Sequence, residues 1–135
     1  MLKDVIQVCT DGSDLSHKGI ESAVEIAKAL KLPVVGMTAV LGKPAPVAGL
    51  ENESKDVQER LNAVKRLAEA AEVPFELVAE HCEEVSGAIL SVAARYEARC
   101  IVMASRGLGT LGSLILGSET QKVLAKADRP VLVIR

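Results

Sequence analysis

The chain has 135 residues, the length of one domain with a single core. Apolar residues make up 49% and charged residues 25%, with a net charge of −2, which describes a globular chain and excludes a disordered one. Phe75 and Tyr96 are the only aromatics, and 16 basic residues are balanced by 18 acidic ones, so neither a stacking platform for single strands nor an electrostatic footprint for duplex DNA is present, and no nucleic-acid partner is expected.

The first segment, "MLKDVIQVCTDGS", has no long apolar core and no cleavage-site pattern, and no apolar run approaches membrane-spanning length. The expectation is a cytoplasmic protein with no membrane partner. Cys9, Cys82 and Cys100 are odd in number, widely spaced and outside any CxxC pattern. Each lies in or beside an apolar run, so buried reduced thiols are expected. His17 and His81 are the only histidines, and the His81-Cys82 pair is too little for a zinc site.

In chain order, "VIQVCT" (5–10) predicts a first strand, closed by the turn-rich "TDGS". Ile20, Ala23, Val24, Ala27 and Leu30 then recur at helical spacing, with Asp14 and Ser16 as candidate caps. "PVVGMTAV" (33–40) predicts a second strand. Residues 42–55, rich in Pro, Gly and polar residues, predict a long mobile loop, either a lid or plain surface. Val57, Leu61, Val64, Leu67, Ala68 and Ala71 mark a second helix. "PFELVAE" (74–80) alternates apolar and charged residues, which places this third strand nearer an edge. Ile89, Val92, Ala93 and Tyr96 mark a third helix, "CIVMA" (100–104) a fourth strand, Val123, Leu124 and Ala127 a fourth helix, and "PVLVIR" (130–135) a fifth strand.

Strands alternating with helices predict βαβ units and a parallel sheet. Right-handed crossovers with helices on both faces require one reversal of winding, giving the order 3-2-1-4-5 with strands 1 and 4 as central neighbours. The fold class is therefore α/β, a single doubly wound domain with a five-stranded parallel sheet and four helices. Ligands in such sheets bind beyond the carboxyl ends of the strands at the switch point. "TDGS" and "SRGLG" both fall there.

Gly107, Gly109 and Gly112 spell GxGxxG, but after the fourth strand. A nicotinamide site needs that pattern after the first strand and an acidic residue roughly twenty positions on. The strand that follows here ends at Arg135, and Asp128 stands at its wrong end, so NAD is not expected. A Walker A loop is also absent from the sequence, since no Gly-Lys-Ser/Thr follows. A more general phosphate cradle remains. Glycines admit close approach of backbone N–H groups, "GSETQ" opens a helix whose N-terminus suits an anion, and Arg106 can add charge. Ser118 and Gln121 have capping-box spacing, so Ser118 also reads as a plain cap. Asp11 reads either as a turn former or as a carboxylate that accepts from a ribose hydroxyl and helps hold a magnesium ion on phosphates.

On these residues the chain resembles the universal stress protein family. The family's nucleotide motif is Gly-x2-Gly-x9-Gly-Ser/Thr after the fourth strand. Gly107 and, after nine residues, Gly117-Ser118 match its second part. "VCTDGSDLS" resembles the opening strand and turn, and "GSETQKVLAKADRPVLVIR" the closing helix and strand, so the likeness spans the chain. The resemblance implies an α/β sandwich of the adenine nucleotide alpha hydrolase-like kind, ATP binding in some members, homodimers paired through strand 5, and roles in stress tolerance and signalling. It places Asp11 against ribose and phosphates with Thr10 beside it. It gives Val40 backbone contacts to adenine and sets Met103 against the base. Gly107, Gly117 and Ser118 would cradle the phosphates, with Ser105 and Arg106 on the loop between. Ala104 stands where the motif has its first glycine, and would be strained if that position had a positive φ. Glu119 adds an acid beside the phosphate end, or is an ordinary first-turn acid favoured by the helix dipole.

The apolar, unblunted edge of residues 131–135 independently predicts pairing across a two-fold axis. The leading expectation is a regulatory module that binds ATP, with magnesium through Asp11, and hydrolyses it slowly at most. The alternative is a homodimeric interaction module that binds no nucleotide. A phosphoryl receiver lacks its Asp after strand 3 and its Lys after strand 5, and a flavodoxin-like carrier lacks aromatics to flank a flavin.

Overall fold

In the computed structural model, which describes residues 1–107 and 116–135, strands and helices alternate as expected. They are β1 (Ile6–Cys9), α1 (Asp14–Leu30), β2 (Val34–Leu41), α2 (Lys55–Ala70), β3 (Phe75–Cys82), α3 (Val85–Arg95), β4 (Cys100–Ala104), α4 (Ser118–Lys126) and β5 (Val131–Ile134). The strands form one parallel sheet in the order β3-β2-β1-β4-β5. Gly109 and Gly112 lie outside the described residues.

Alternate side chains of the sheet serve two cores, as the period of a strand requires. Val5, Val35, Met37, Ile101 and Met103 pack against Ile89 and Val92 of α3 and Val123 of α4. Ile6, Val8, Val34 and Val102 pack against Ile20, Ala23 and Ala27 of α1 and Val64 and Ala68 of α2. Gly36 sets how closely α2 approaches: a Cβ there would come 2.6 Å from Val64 Cγ1.

Three local expectations change. Ser13, not Asp14 or Ser16, caps α1: it has extended backbone angles and its side chain accepts from Ser16 N at 3.1 Å. Ser16 is buried one turn in, its own hydroxyl donating to Ser13 O at 2.9 Å. The N-cap of α4 is Gly117, not Ser118, and Gln121 reaches back past the helix to Leu116 O at 2.8 Å instead of closing a capping box. β2 runs one residue and β3 two residues beyond their expected ends, pairing Val40 with His81 and Leu41 with Cys82.

The loop after β2 holds one 3-10 turn, Leu50–Asn52. Its far end is tied to the edge strand, where Glu53 Oε2 and Oε1 meet His81 Nε2 at 2.9 and 3.0 Å. Among the described residues no helix is long and apolar enough to cross a membrane.

Candidate functional site

β1 stops at Cys9 and the chain turns sharply into α1. Gly12, with φ +87°, supplies the left-handed residue that the turn needs. Thr10 Oγ1 accepts from Gly12 N at 3.2 Å and shares a hydrogen bond with Ser16 Oγ at 3.1 Å. Asp11 Oδ1 accepts from Ser13 N at 3.0 Å, so the carboxylate is oriented by its own turn.

The loop after β4 comes up to the same turn. A Cβ on Gly107 would stand 3.0 Å from Asp11 Oδ2, so glycine lets this backbone lie against the carboxylate. Gly117 N donates to Ser105 O at 2.7 Å, drawing the start of α4 back onto the loop. A Cβ on Gly117 would come 3.2 Å from Arg106 Cα. Its φ is −61°, so closeness and not backbone conformation is what calls for glycine. Thr120 Oγ1 donates to Ala104 O at 3.0 Å and fixes the first turn of α4 to the end of β4.

Ala104 is the last residue of β4, paired with Ile134, and is not among the positive-φ residues. The alanine therefore carries no backbone strain; what it adds is one methyl on the cleft wall. Glu119 also has a local role. Its Oε2 accepts from Ser86 N at 2.9 Å and its Oε1 lies 3.6 Å from Lys122 Nζ. It thus caps the neighbouring helix α3, whose own N-cap residue Glu84 makes no capping bond. The Ser86 hydroxyl and then the Lys122 ammonium hold the exposed Glu84 carboxyl below its ordinary range.

These parts enclose a cleft of about 280 Å³ at the carboxyl ends of β1 and β4. Of the residues expected there, Thr10, Asp11, Met103, Ala104, Arg106, Gly107, Gly117, Ser118 and Glu119 line it. Val40 and Ser105 do not. Ala39 lines it one residue before Val40, and Ser105 is buried behind, bonded to Gly117 and Ile134 through its backbone. Sequence reasoning missed Met37 and Thr38 from β2 and Val85 and Ile89 from α3, which complete a mostly apolar wall. Cys9 lies on the floor. Desolvation pushes its thiol up to about 12 against a small opposing hydrogen bond from Gln7, so it stays protonated at neutral pH.

The charged side chains of the lining are Asp11, Arg106 and Glu119. Among the described residues no three His, Cys, Asp or Glu side chains gather as a metal site. Asp11 fits a magnesium ion only in the way Mg²⁺ is commonly held, by one or two carboxylates together with a ligand's phosphates.

A model of the family described as "Universal stress protein family" matches residues 4–135. The chain belongs to the universal stress protein family. It is 31% identical over 144 residues to universal stress protein MJ0531 of Methanocaldococcus jannaschii, covering 96% of this chain and 81% of that one. A shorter stretch, 36% of this chain and 35% of the other, is 56% identical over 48 residues to a Thermus aquaticus universal stress protein. The fold matches a universal stress protein of Archaeoglobus fulgidus solved in complex with dAMP. The TM-score is 0.76 at 22% identity, with both chains fully covered. The five-stranded order and the four helices are thus those of this family's α/β fold.

Proposed function

We propose that this universal stress protein is a cytoplasmic regulatory module that binds ATP in the cleft between β1 and β4, acts in stress response or signalling, and pairs as a homodimer through residues 131–135. The observation that carries the nucleotide reading is the closeness of Gly117 to the loop after β4, where its N–H bonds Ser105 O at 2.7 Å. It sets the N-terminus of a nine-residue helix beside Asp11, Gly107 and Arg106. Such a terminus carries partial positive charge and unpaired N–H groups, which suit phosphate. The apolar wall of Met37, Val85, Ile89 and Met103 suits a flat base. The dAMP held by the Archaeoglobus relative supports an adenine nucleotide as the ligand class.

With two acids and one base in the lining, side chains alone do not neutralise a triphosphate. Backbone N–H groups and a magnesium ion held by Asp11 and the phosphates would supply the remainder. Hydrolysis is slow in this reading. Asp11, the candidate base, already accepts from Ser13 N, and the Cys9 thiol is protonated.

The test is calorimetry of purified protein with ATP, with and without magnesium, joined to mass analysis for nucleotide carried through purification. Binding that tightens with magnesium is the expected result. No heat at millimolar ATP and no carried nucleotide would leave the interaction module as the better account. Turnover near the roughly 10 s⁻¹ typical of enzymes would replace the regulatory reading with a catalytic one.

A further inference from the structure

Behind the β1–α1 turn, on the side away from the cleft, Arg60 of α2 reaches up to β2. Its Nη2 donates to Asp56 Oδ2 at 2.7 Å, one turn back on its own helix. Its Nη1 donates to Thr38 Oγ1 at 3.3 Å. Its Nε is sealed from solvent and meets no acceptor among the described residues. An unsatisfied buried N–H on a charged group is costly, and the bonds to Asp56 and Thr38 are what hold the guanidinium there.

Thr38 is 1% exposed and its hydroxyl donates to Thr10 O at 2.6 Å. A hydroxyl has one proton and accepts through its lone pairs. With Arg60 donating to that oxygen, the proton is directed to Thr10 O. The three groups form a one-way chain, guanidinium to hydroxyl to carbonyl, and such chains polarise and strengthen along their length. Thr10 lies just past β1; its N–H still bonds Met37 O, while its carbonyl is met by Thr38 instead of the sheet ladder. Orienting that carbonyl orients the Thr10–Asp11 peptide, and through it the Asp11 carboxylate. The Arg60 stem also supports the turn from below: a Cβ on Gly12 would come 3.3 Å from Arg60 Cγ.

We infer that Arg60 is a positioning residue for the cleft, acting through Thr38 to hold the turn that presents Asp11 to a nucleotide. It touches no ligand itself, since it does not line the cleft while Thr38 does. The inference rests on the nucleotide reading for its functional effect and on the turn alone for its structural effect. The experiment therefore has two arms.

In the first, ATP affinity is measured for the wild type and for Arg60→Met, Thr38→Val and Thr38→Ser, each also in an Asp11→Ala background. Arg60→Met and Thr38→Val are expected to weaken ATP by roughly fivefold to tenfold each, the size of one ordinary hydrogen bond lost indirectly. Thr38→Ser recovers most of the Thr38→Val loss because it restores the hydroxyl. With Asp11→Ala already present, Arg60→Met costs nothing further. Equal losses with and without Asp11, or a serine as weak as valine, would overturn the inference.

In the second arm, amide hydrogen exchange is followed without ligand. Arg60→Met is expected to speed exchange at Gly12 and Ser13, whose amides are bonded inside the turn, while the central amides of α2 keep their rates. Unchanged exchange at those two amides, or loss of protection across α2 as a whole, would show that Arg60 does not hold the turn. Absence of ATP binding by the wild type would defeat the nucleotide reading, and the exchange arm would still decide the role of Arg60.

Discussion

At single residues, the site depends on where backbone comes close to backbone. Gly117→Val would force a branched side chain against Arg106 Cα and Ser105 O. It is expected to lower ATP affinity roughly tenfold or more, and Asp11→Ala comparably, in titration calorimetry; unchanged affinity in both would move the site elsewhere. Cys9 gives a pH prediction. Its pKa is raised from 9.0 to about 12 in the fold, so above pH 9 the unfolded chain releases a proton that the native chain keeps. Stability linked to this thiol is complete below pH 9 and declines as pH rises toward 12. Chemical melts across that window should show a shallower decline for Cys9→Ala than for the wild type. Asp11, Gly107 and Gly117 were legible in the sequence because few residue types tolerate a sharp turn or a close approach. Met37, Val85 and Ile89 were not, because the apolar side of a ligand cleft has the same composition as a core. The role of Glu119 was equally hidden, since it depends on α3 and α4 meeting side by side.

For the elements, packing distances decide more than propensity does. The separation of α2 from β2 is set at Gly36, and an added methyl would overlap Val64. Gly36→Ala is expected to cost about 1–3 kcal/mol in denaturant melts, as overpacked cores do, whereas an unchanged midpoint would mean that α2 can slide outward freely. Periodicity revealed the five strands and four α-helices of the described residues, because most of the apolar positions it counted do face the sheet; Leu30 and Leu124, which it also counted, are exposed. It missed the caps. Ser13, Asp14 and Ser16 are all cap-forming types, and only the backbone angles show that Ser13 is the residue outside the helix. It also stopped β3 at Glu80, since a strand that goes on pairing through His81 and Cys82 loses its apolar alternation without losing its ladder.

For the whole molecule, the two edges of the sheet differ. The β3 edge is long and carries the Glu53–His81 tie, whereas β5 is short and leaves Leu132 37% exposed, with Leu124 of α4 43% exposed. If β5 is where two copies pair, a chain ending at Pro130 sediments as a monomer; a stable dimer from that chain would sink the β5 model. The topology itself was legible because handedness leaves few ways to bury both faces of a parallel sheet. The central place of β1 also bears on the order in which the protein can be made. Once β3 has left the ribosome, three strands are available, and β1 is then an outer strand with its far edge open. That edge waits for β4, which ends at residue 104, while α4 and β5 come later still. The nascent chain therefore holds the open edge of β1 unpaired through the synthesis of α3, and the cleft cannot close until the first turn of α4 has emerged.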